Sequence, residues 1–289
     1  MDKTGWIDLH VHGMPSLVQR MNPWDYILEM EAAGYRACVV QDHSASTAGL
    51  AYALQNSPRR LHIQVYGTLV MNAAAGGIHA ACVEAAHRMG VRRVSFPTTS
   101  SPRQTAYLRE HHLTFGGGAL NCPEPRVSPL DEEGRLTRET LEVLDYAAAH
   151  PDLILSTGYM GTEEIEQVVS AALECGCRKV LVDHPYAIVE APLERIKRWA
   201  GMGAYIELTA ANFKNISVSG DMDIEKLKPV LEAVTPGKAV LSSDFGQLRN
   251  GSPVEGLERF AEAVRSFGYS EEEMEMMTKR NAAHLLFEA

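Results

Sequence analysis

The sequence lacks the features that define several large classes of protein. No apolar run approaches the roughly 20 residues that span a bilayer, and the first residues, MDKTGWIDLHVH, show no signal-peptide pattern. The net charge of −10 leaves no basic footprint for the phosphates of a nucleic acid. We therefore expect partners other than a membrane or a nucleic acid, with a small-molecule substrate as the main one and homo-oligomer assembly left open.

Cysteine is scarce and scattered. The five residues are Cys38, Cys82, Cys122, Cys175 and Cys177. An odd number without regular spacing argues against a disulfide framework. Cys175-Gly-Cys177 lacks both the two-residue spacing and the second pair of a zinc knuckle. Reduced thiols predict a cytoplasmic protein.

Three common catalytic signatures are also missing. The chain has no GxSxG elbow, no Walker A loop and no GxGxxG placed after a strand. Serine-hydrolase and nucleotide-binding functions therefore have no support in the sequence.

The sequence does contain a regular alternation of apolar strand-like runs and helical runs. In the clearest helical run, Glu163–Glu174, apolar residues repeat at helical spacing and the acidic residues lie outside. Such alternation predicts a parallel sheet with covering helices. The eight candidate strands are Trp6–His12, Ala37–His43, His62–Asn72, Arg93–Thr98, Leu153–Tyr159, Lys179–His184, Ala204–Leu208 and Ala239–Asp244.

The number of strands favours closure into a distorted (β/α)8 TIM-type barrel. Such barrels need about 250 residues, so the chain of 289 residues fits one domain over 1–289 with an insertion. A doubly wound open sheet is the alternative. The polar strand ends favour the barrel, because they are spread from His10 to Asp244 and an open sheet would gather them at one switch point.

The segment Phe115–Thr137 interrupts the alternation after the fourth strand. It contains three consecutive glycines, three prolines and the turn sequence Asp131–Gly134. We interpret it as a surface insertion with a short hairpin. Loops on this side of a barrel cover the active site, so it is either a lid or a plain irregular connection.

The strongest signal for chemistry is the pair of histidines in DLHVH. His10 and His12 are two apart, so on a strand both imidazoles face the same way and can hold one divalent ion. Their position at the end of the first strand, before Gly13, distinguishes them from a pair of surface histidines, which is the alternative.

Two further polar residues end late strands. His184 follows the sixth strand and Asp244 ends the eighth. Together with the first pair they give a His3Asp set, which suits Zn²⁺, with Mn²⁺ or Fe²⁺ as alternatives. Asp244 would also accept a proton from the attacking water. The alternatives are a buried strand-end histidine and a helix N-cap.

Asp42 and His43 end the second strand. Either side chain could reach the metal, but strand alternation lets only one of them point fully inward. We keep His43 as a candidate ligand and Asp42 as a candidate substrate-binding residue. A turn role for Asp42, with His43 at the surface, is the alternative.

Three more residues are candidates for binding the substrate. Arg20 follows the first strand and could hold an anionic group bidentately, or it could pair with an acid such as Asp25. Asn72 ends the third strand and faces the same mouth. Glu207, on the seventh strand beside Tyr205, needs a partner if it is buried.

The motifs, taken in order, resemble the amidohydrolase superfamily. DLHVH, His184 and Asp244 are similar to its HxH, His and Asp ligands, and Asn281–Leu286 is similar to its NPAxLL ending. More closely, nearly the whole chain resembles the uncharacterised DUF6282-type branch. The segments that carry this resemblance are DLHVHGMPSLVQR, VVQDHSASTAG, VMNAAAGGIHAACVEAA, STGYMGTEE, VDHP and SSDFGQLRNGSPVEGL.

The sequence departs from the superfamily pattern at two strands. Tyr159 stands at the fifth strand, where the resemblance implies a histidine, and Ser95–Thr98 supplies no bridging Lys or Glu. Both departures predict a site with one ion. A protonated Tyr159 would then donate a hydrogen bond to the developing oxyanion or to the attacking water. Alternatively, its ring fills the barrel mouth.

The sequence therefore predicts a metal-dependent hydrolase. A divalent ion, Zn²⁺ first, and Asp244 would activate water to attack the carbonyl of an amide, lactone or ester in a small, anionic substrate. A phosphoesterase of the PHP type or a metal-assisted decarboxylase is the alternative among enzymes. QDH is similar to a PHP motif, but the closing DxH is missing. A degenerate barrel that only binds a ligand is the alternative outside enzymes.

Overall fold

Eight parallel strands form one sheet with the order β1-β2-β3-β4-β5-β6-β7-β8. The computed structural model describes residues 1–113, 120, 122 and 124–288. Within these, the strands are β1 (Ile7–His12), β2 (Ala37–Gln41), β3 (Gln64–Val70), β4 (Val91–Ser95), β5 (Ile154–Ser156), β6 (Val180–Asp183), β7 (Tyr205–Thr209) and β8 (Ala239–Ser242). The predicted distorted (β/α)8 barrel is confirmed.

Helices separate the strands along the chain. Short 3-10 turns, Ala73–Ala75, Ala210–Asn212 and Ile224–Lys226, lie among them, and Met276–Arg280 is a π-helical segment. The α-helices are α1 (Pro23–Ala32), α2 (Ala48–Gln55), α3 (Ala80–Arg88), α4 (Pro102–Glu110), α5 (Arg138–Ala149), α6 (Thr162–Glu174), α7 (Leu193–Met202), α8 (Leu227–Val234), α9 (Pro253–Arg265), α10 (Glu271–Glu275) and α11 (Asn281–Phe287). The helix expected over 163–174 is thus α6.

The barrel closes between β1 and the residues that follow β8, which we call the seam (Asp244–Gln247). The Asp244 amide donates to the His10 carbonyl at 2.8 Å, and the His12 amide donates to the Phe245 carbonyl at 2.7 Å. A parallel bridge joins Val11 to Phe245. The seam therefore closes the barrel at the height of the histidine pair.

A bulge in β1 determines which of its side chains face inward. The pairing with β2 shifts by one residue between Asp8 and Val11. Leu9 consequently lies in the apolar interior of the barrel, and the next residue, His10, contacts interior polar groups of β2 and β7. Asp8 is also buried, and its Oδ1 accepts from the backbone amides of His10 and Ser243, both at 3.1 Å. The bulge thus lets Leu9 and His10, which are neighbours in the chain, both face the barrel interior.

The lower layer of the barrel interior is apolar. It packs around Leu9 and Leu181 with the C-terminal helix closing it from below. Its fully buried members include Ile7, Leu9, Ala37, Val39, Ile154, Leu181, Val240, Ala282 and Leu285. A larger apolar layer lies between the sheet and the helices. The polar residues of the strand ends therefore rest on a packed floor.

The segment expected as an insertion begins after α4. Residues 115–119, 121 and 123 of it lie outside the described part of the chain. In the described part, an antiparallel bridge between Leu130 and Leu136 forms a short hairpin, as expected. The Ser100 hydroxyl donates to Glu124 at 2.5 Å, and the Val127 amide donates to the Ser100 carbonyl. The insertion is therefore fastened to the loop after β4.

No helix in the described ranges is both long and apolar enough to cross a membrane.

Candidate metal centre and cavity

Three strand ends bring nitrogen and oxygen atoms together at the mouth of the barrel. Ligand atoms of His10, His184 and Asp244 all lie within 4.8 Å of one another. The Asp244 Oδ1 atom is 3.1 Å from His12 Nε2 and 3.6 Å from His10 Nε2. The structure thus brings together the four residues of the predicted His3Asp set.

Hydrogen bonds at the far side of two rings determine which nitrogens can bind a cation. His10 Nδ1 lies 3.1 Å from Glu207 Oε2, and His12 Nδ1 lies 3.0 Å from the Gln41 carbonyl. A carboxylate and a carbonyl can only accept, so each Nδ1 carries the proton. In the neutral rings the lone pair then sits on Nε2. His12 Nε2 faces Asp244 directly, and His10 Nε2 faces both Asp244 and, at 2.9 Å, the Gln41 amide nitrogen. Such partners fix the tautomer of a ligating histidine.

Burial disfavours protonation of two imidazole rings of the cluster, those of His12 and His184. It is the largest cause that lowers the pKa of His12 and of His184, although Asp244 acts in the opposite direction. Neither ring nitrogen of His184 has a hydrogen-bond partner within the described part of the chain. Buried polar atoms are seldom left unpaired, so these nitrogens indicate a ligand.

Asp244 and the neighbouring histidines shift one another's pKa values. Burial alone would raise the pKa of Asp244, but His10, His12 and His184 outweigh it and hold that pKa well below its ordinary value. Burial alone would lower the pKa of His10, but Asp244 and Glu207 outweigh it and raise that pKa. A carboxylate that faces three imidazole nitrogens suits a divalent cation with tetrahedral N and O ligands. The residues present therefore fit a metal ion.

The backbone is strained at two of the candidate ligands. His184 has φ 22° and Asp244 has φ 54°, a region that non-glycine residues rarely adopt. Behind Asp244 in the seam, a Cβ atom on Gly246 would lie within 1.9 Å of the His12 carbonyl oxygen, so glycine is required there. Strain of this kind clusters at functional sites, where surrounding contacts maintain it.

His43 stands beside the cluster. Its ring centroid is 5.1 Å from that of His12, and its Nδ1 lies 2.9 Å from the Thr98 hydroxyl. Asn72 holds this arrangement, because its amide donates to the His43 carbonyl and to Thr98 Oγ1, both at 2.8 Å. The cluster of ligand atoms within 4.8 Å of one another contains neither His12 nor His43, but His12 Nε2 lies 3.1 Å from Asp244. The role of His43 as a ligand stays a prediction.

A cavity of about 640 Å³ opens above the cluster. Its deep end is formed by predicted site residues. Among the described residues, its outer wall comes from α4 and the residues just after it, the loop after β6 and the segment between β7 and α8. The residues at the deep end are His12, Arg20, His43, Tyr159, His184 and Asp244, and the apolar and aromatic members of the outer wall are Tyr107, Leu108, Leu113, Tyr186, Ala187, Ile188, Ala211 and Met222.

Arg20 is largely buried in the wall of this cavity. Only 8% of the residue is exposed, and its Nε atom has no hydrogen-bond partner in the described ranges. Burial lowers the pKa of the guanidinium, whereas the carboxylates of Asp244 and Asp42 act to raise it. Asp42 itself accepts from the Ser44 amide at 2.8 Å, so it forms a turn near Arg20. The guanidinium is therefore available to an anion that enters the cavity.

Tyr159 is held in place by its backbone. Its amide donates to the Pro97 carbonyl at 3.0 Å, and its carbonyl accepts from the Ser101 hydroxyl at 2.6 Å. Its ring centroid lies 5.2 Å from that of His184. Burial raises the pKa of the phenol well above its ordinary value. Tyr159 therefore presents a protonated hydroxyl beside the metal cluster.

Comparison with known families adds an identification. Residues 5–207 match a family of unknown function, DUF6282. The chain belongs to this family. No curated protein matches it.

Solved structures share the barrel of this DUF6282 protein. A Pseudomonas putida protein described as a candidate 2-pyrone-4,6-dicarboxylic acid hydrolase has 16% identity, a TM-score of 0.56 and full coverage of both chains. A Pseudomonas aeruginosa amidohydrolase has 12% identity and a TM-score of 0.67 over 98% of this chain and 95% of its own. A Burkholderia multivorans amidohydrolase with bound Zn has 11% identity and a TM-score of 0.53, covering 97% and 98%. At these identities the likeness shows the fold.

The structure changes the interpretation of two predicted substrate-binding residues. Asn72 and Glu207 are fully buried, and neither is among the described residues that line the cavity. Asn72 holds the loops after β2 and β4, as its hydrogen bonds to His43 and Thr98 indicate. Glu207 holds the His10 ring from behind. Both residues support the site and do not form its wall.

Sequence analysis missed three polar residues beneath the metal cluster: Gln41, Arg93 and Asp183. The Gln41 amide nitrogen lies 2.9 Å from His10 Nε2, and Arg93 forms ion pairs with both Asp183 and Glu207. The sequence held one usable signal. Arg92 and Arg93 are adjacent in a buried strand, so alternation forces one of them into the barrel interior.

Proposed function

We propose that this DUF6282 protein is a metal-dependent hydrolase of the amidohydrolase type. In this proposal one divalent ion, Zn²⁺ first with Mn²⁺ or Fe²⁺ as alternatives, is held by His10, His12, His184 and Asp244. The substrate is a small anionic molecule whose amide, lactone or ester carbonyl is attacked by water. The observation that carries the proposal is the convergence of three imidazole nitrogens on one carboxylate at the floor of a cavity.

Each proposed role follows from the position of a side chain. When bound, the ion would act as a Lewis acid and lower the pKa of water to about 7. Asp244 is ionised at neutral pH, since its pKa is depressed, and it would accept the proton of a water whose own pKa a bound ion lowers. Tyr159 keeps its proton and can donate to the oxyanion that forms on the carbonyl oxygen.

The position of Arg20 favours a substrate that carries a negative charge. This residue lines the cavity next to Asp244, and a guanidinium binds a carboxylate with two parallel hydrogen bonds. The Pseudomonas putida protein of similar fold is described as a hydrolase of a dicarboxylic acid, which agrees with this choice of substrate class.

The residues at two strand ends favour a site with one ion over a site with two. The fifth strand brings Tyr159 to the cavity instead of a histidine, and a protonated phenol is a poor metal ligand. The fourth strand places the cation Arg93 in the barrel interior. A cation at that position disfavours a second ion close by.

Metal analysis and turnover test the proposal. Protein purified without chelator should contain one transition metal ion per chain, and His10→Ala and His12→Ala should lose most of it. The metal-loaded protein should hydrolyse members of a panel of carboxylate-bearing lactones, amides and esters. Absence of metal from the wild type and both variants would refute the central claim. Turnover of phosphoesters but of no carbonyl substrate would replace the hydrolase of this proposal with a phosphoesterase.

A further inference from the structure

Arg93 of β4 is the one arginine among the described residues that is fully buried in the barrel interior. Its guanidinium lies beneath the metal cluster and contacts groups from β1, β5, β6 and β7. We propose that Arg93 is a positioning residue for the metal centre, acting on His10 through Glu207 and on the loop of Tyr159 through Asp183. This inference rests on the proposed function, because it requires the cluster to bind a metal ion.

The first arm of the arrangement runs through Glu207. Arg93 Nη1 donates to Glu207 Oε1 at 2.9 Å, and Nη2 donates to Glu207 Oε2 at 2.8 Å. The same Oε2 accepts from His10 Nδ1 at 3.1 Å, and Ser242 donates to Oε1 at 2.9 Å. The two parallel bonds fix the plane of the carboxylate. The plane of that carboxylate in turn fixes the direction in which His10 Nε2 points.

The second arm runs through Asp183. Arg93 Nη2 donates to Asp183 Oδ1 at 2.8 Å. The other oxygen of Asp183 accepts from the Gly158 amide at 2.7 Å. Gly158 precedes Tyr159 and has φ 58°, and a Cβ atom there would lie 2.3 Å from the Phe96 carbonyl. Asp183 therefore maintains the tight turn that delivers Tyr159, and it directly precedes His184.

A guanidinium suits this position better than an ammonium group. Arg93 makes five contacts at once, since Nε also donates to Ser156 Oγ at 3.1 Å and Nη1 to the Leu9 carbonyl at 2.7 Å. A lysine offers three donors from one atom and lacks the planar fork. It can keep the charge balance of the barrel interior, but it cannot hold both carboxylates in their present planes.

Metal affinity in an Arg93→Lys variant tests the inference directly. Partners that orient a metal ligand typically contribute 10–100-fold to affinity, so we expect Zn²⁺ binding to weaken by about that factor. Co²⁺ loaded into the variant should give a visible d–d spectrum different from that of the wild type, because the ligand geometry changes. Leu181→Ala, in the apolar lower layer, is the matched control: it lowers stability but should leave Zn²⁺ affinity and the Co²⁺ spectrum unchanged.

A double-mutant cycle tests the route through Glu207. In a Glu207→Gln background, Arg93→Lys should weaken Zn²⁺ binding much less than it does in the wild type, because the shared arm is already broken. Equal effects in both backgrounds would overturn this route. If Arg93→Lys does not fold, the triple variant Arg93→Met, Asp183→Asn, Glu207→Gln replaces the buried charges together, which proteins tolerate better. Weakened binding in the triple variant supports the inference.

Failure of this inference differs from failure of the proposed function. A wild type that binds Zn²⁺ tightly, together with an Arg93→Lys variant of the same affinity and the same Co²⁺ spectrum, would overturn the role of Arg93 alone. Wild-type affinity in the triple variant would do the same. A wild type that binds no Zn²⁺ or Co²⁺ would instead overturn the proposed function.

Discussion

The two halves of the barrel interior differ in the polarity of the side chains that fill them. The lower half is filled by aliphatic side chains such as Leu9 and Leu181, whereas the upper half buries Arg93, Asp183 and Glu207. Apolar burial stabilises a fold by about 25 cal/mol per Å². Buried charges stabilise little, because their desolvation offsets their attraction. The lower half thus contributes most of the free energy of folding in the barrel interior. The upper half contributes little to it but holds polar groups in fixed directions.

The candidate ligands with a strained backbone lie in the upper half. His184 and Asp244, both at the mouth, have positive φ. The eight strands below them are regular except at the bulge of β1 and an irregularity between β3 and β4. Substitutions of the mouth residues Asp244 and Tyr159 should therefore change chemistry more than stability, and substitutions in the lower half should do the reverse.

The largest effect is expected from the upper half. Asp244→Asn removes the group proposed to accept a proton, so kcat should fall by about 10²–10⁴-fold. Thermal unfolding of the apoprotein should show that the fold survives. Normal turnover in the variant, on any substrate of the wild type, would remove Asp244 from the mechanism.

Tyr159→Phe should have the next largest effect. Loss of one donor to an oxyanion typically lowers kcat by about 10²-fold or more, and the ring itself stays. Steady-state kinetics of the variant measure this effect, and metal content should not change. Full activity would mean that the ring only fills the mouth, which is the alternative that the sequence left open.

Leu181→Ala tests the lower half. Removal of a buried leucine side chain should reduce the free energy of unfolding by about 2–5 kcal/mol, as measured by urea denaturation. The kcat per folded molecule should remain that of the wild type. A large loss of kcat in this variant would show that the two halves are not separable.

Arg20→Lys should raise KM for an acidic substrate by about tenfold, because lysine cannot reproduce the two parallel hydrogen bonds. The kcat should change little. A neutral analogue of the same substrate is the control, and its KM should not respond. An unchanged KM for the acidic substrate would end the proposed role of Arg20.

The last prediction concerns the pH dependence of stability and the buried carboxyl of Asp8 in β1. Burial raises the pKa of its carboxyl from 3.8 to about 7. Between these values the folded protein keeps a proton that the unfolded chain loses, so stability should fall as pH rises through this window. Asp8→Asn cannot ionise and should remove that part of the slope.

Urea midpoints at about pH 4.5 and about pH 7.5 measure this prediction. The wild type should lose more stability between the two conditions than Asp8→Asn does. Asp25→Asn, at an exposed residue of α1, is the matched control and should keep the slope of the wild type. An identical slope in Asp8→Asn and the wild type would contradict the prediction.

Much of the fold could be predicted from the sequence, because apolar periodicity is a local property. All eight strands lie within their expected runs or within two residues of them. The strand ends were extended too far at β6 and β8, since His184 and Asp244 look like strand residues in the sequence but have positive φ. That conformation comes from tertiary contacts at the mouth and the seam, which periodicity does not report.

The four ligands of the candidate site also followed from local signals. The supporting layer did not, because it joins residues that are far apart in the chain. Arg93 meets Glu207 across 114 positions and Asp183 across 90. For the same reason Glu207 and Asn72 were expected to contact substrate, although Glu207 holds His10 from behind and Asn72 holds the loops of His43 and Thr98.

The seam has a consequence for the way new specificities can arise on this chain. One peptide segment, Asp244–Gln247, both closes the barrel and carries the proposed base. A side chain on Gly246 would collide with the His12 backbone, so this segment has little freedom to vary. Residues of α4 such as Tyr107 and Leu108 face the same cavity without such a constraint. Laboratory evolution toward another substrate should therefore accumulate its changes on α4 and leave the seam untouched.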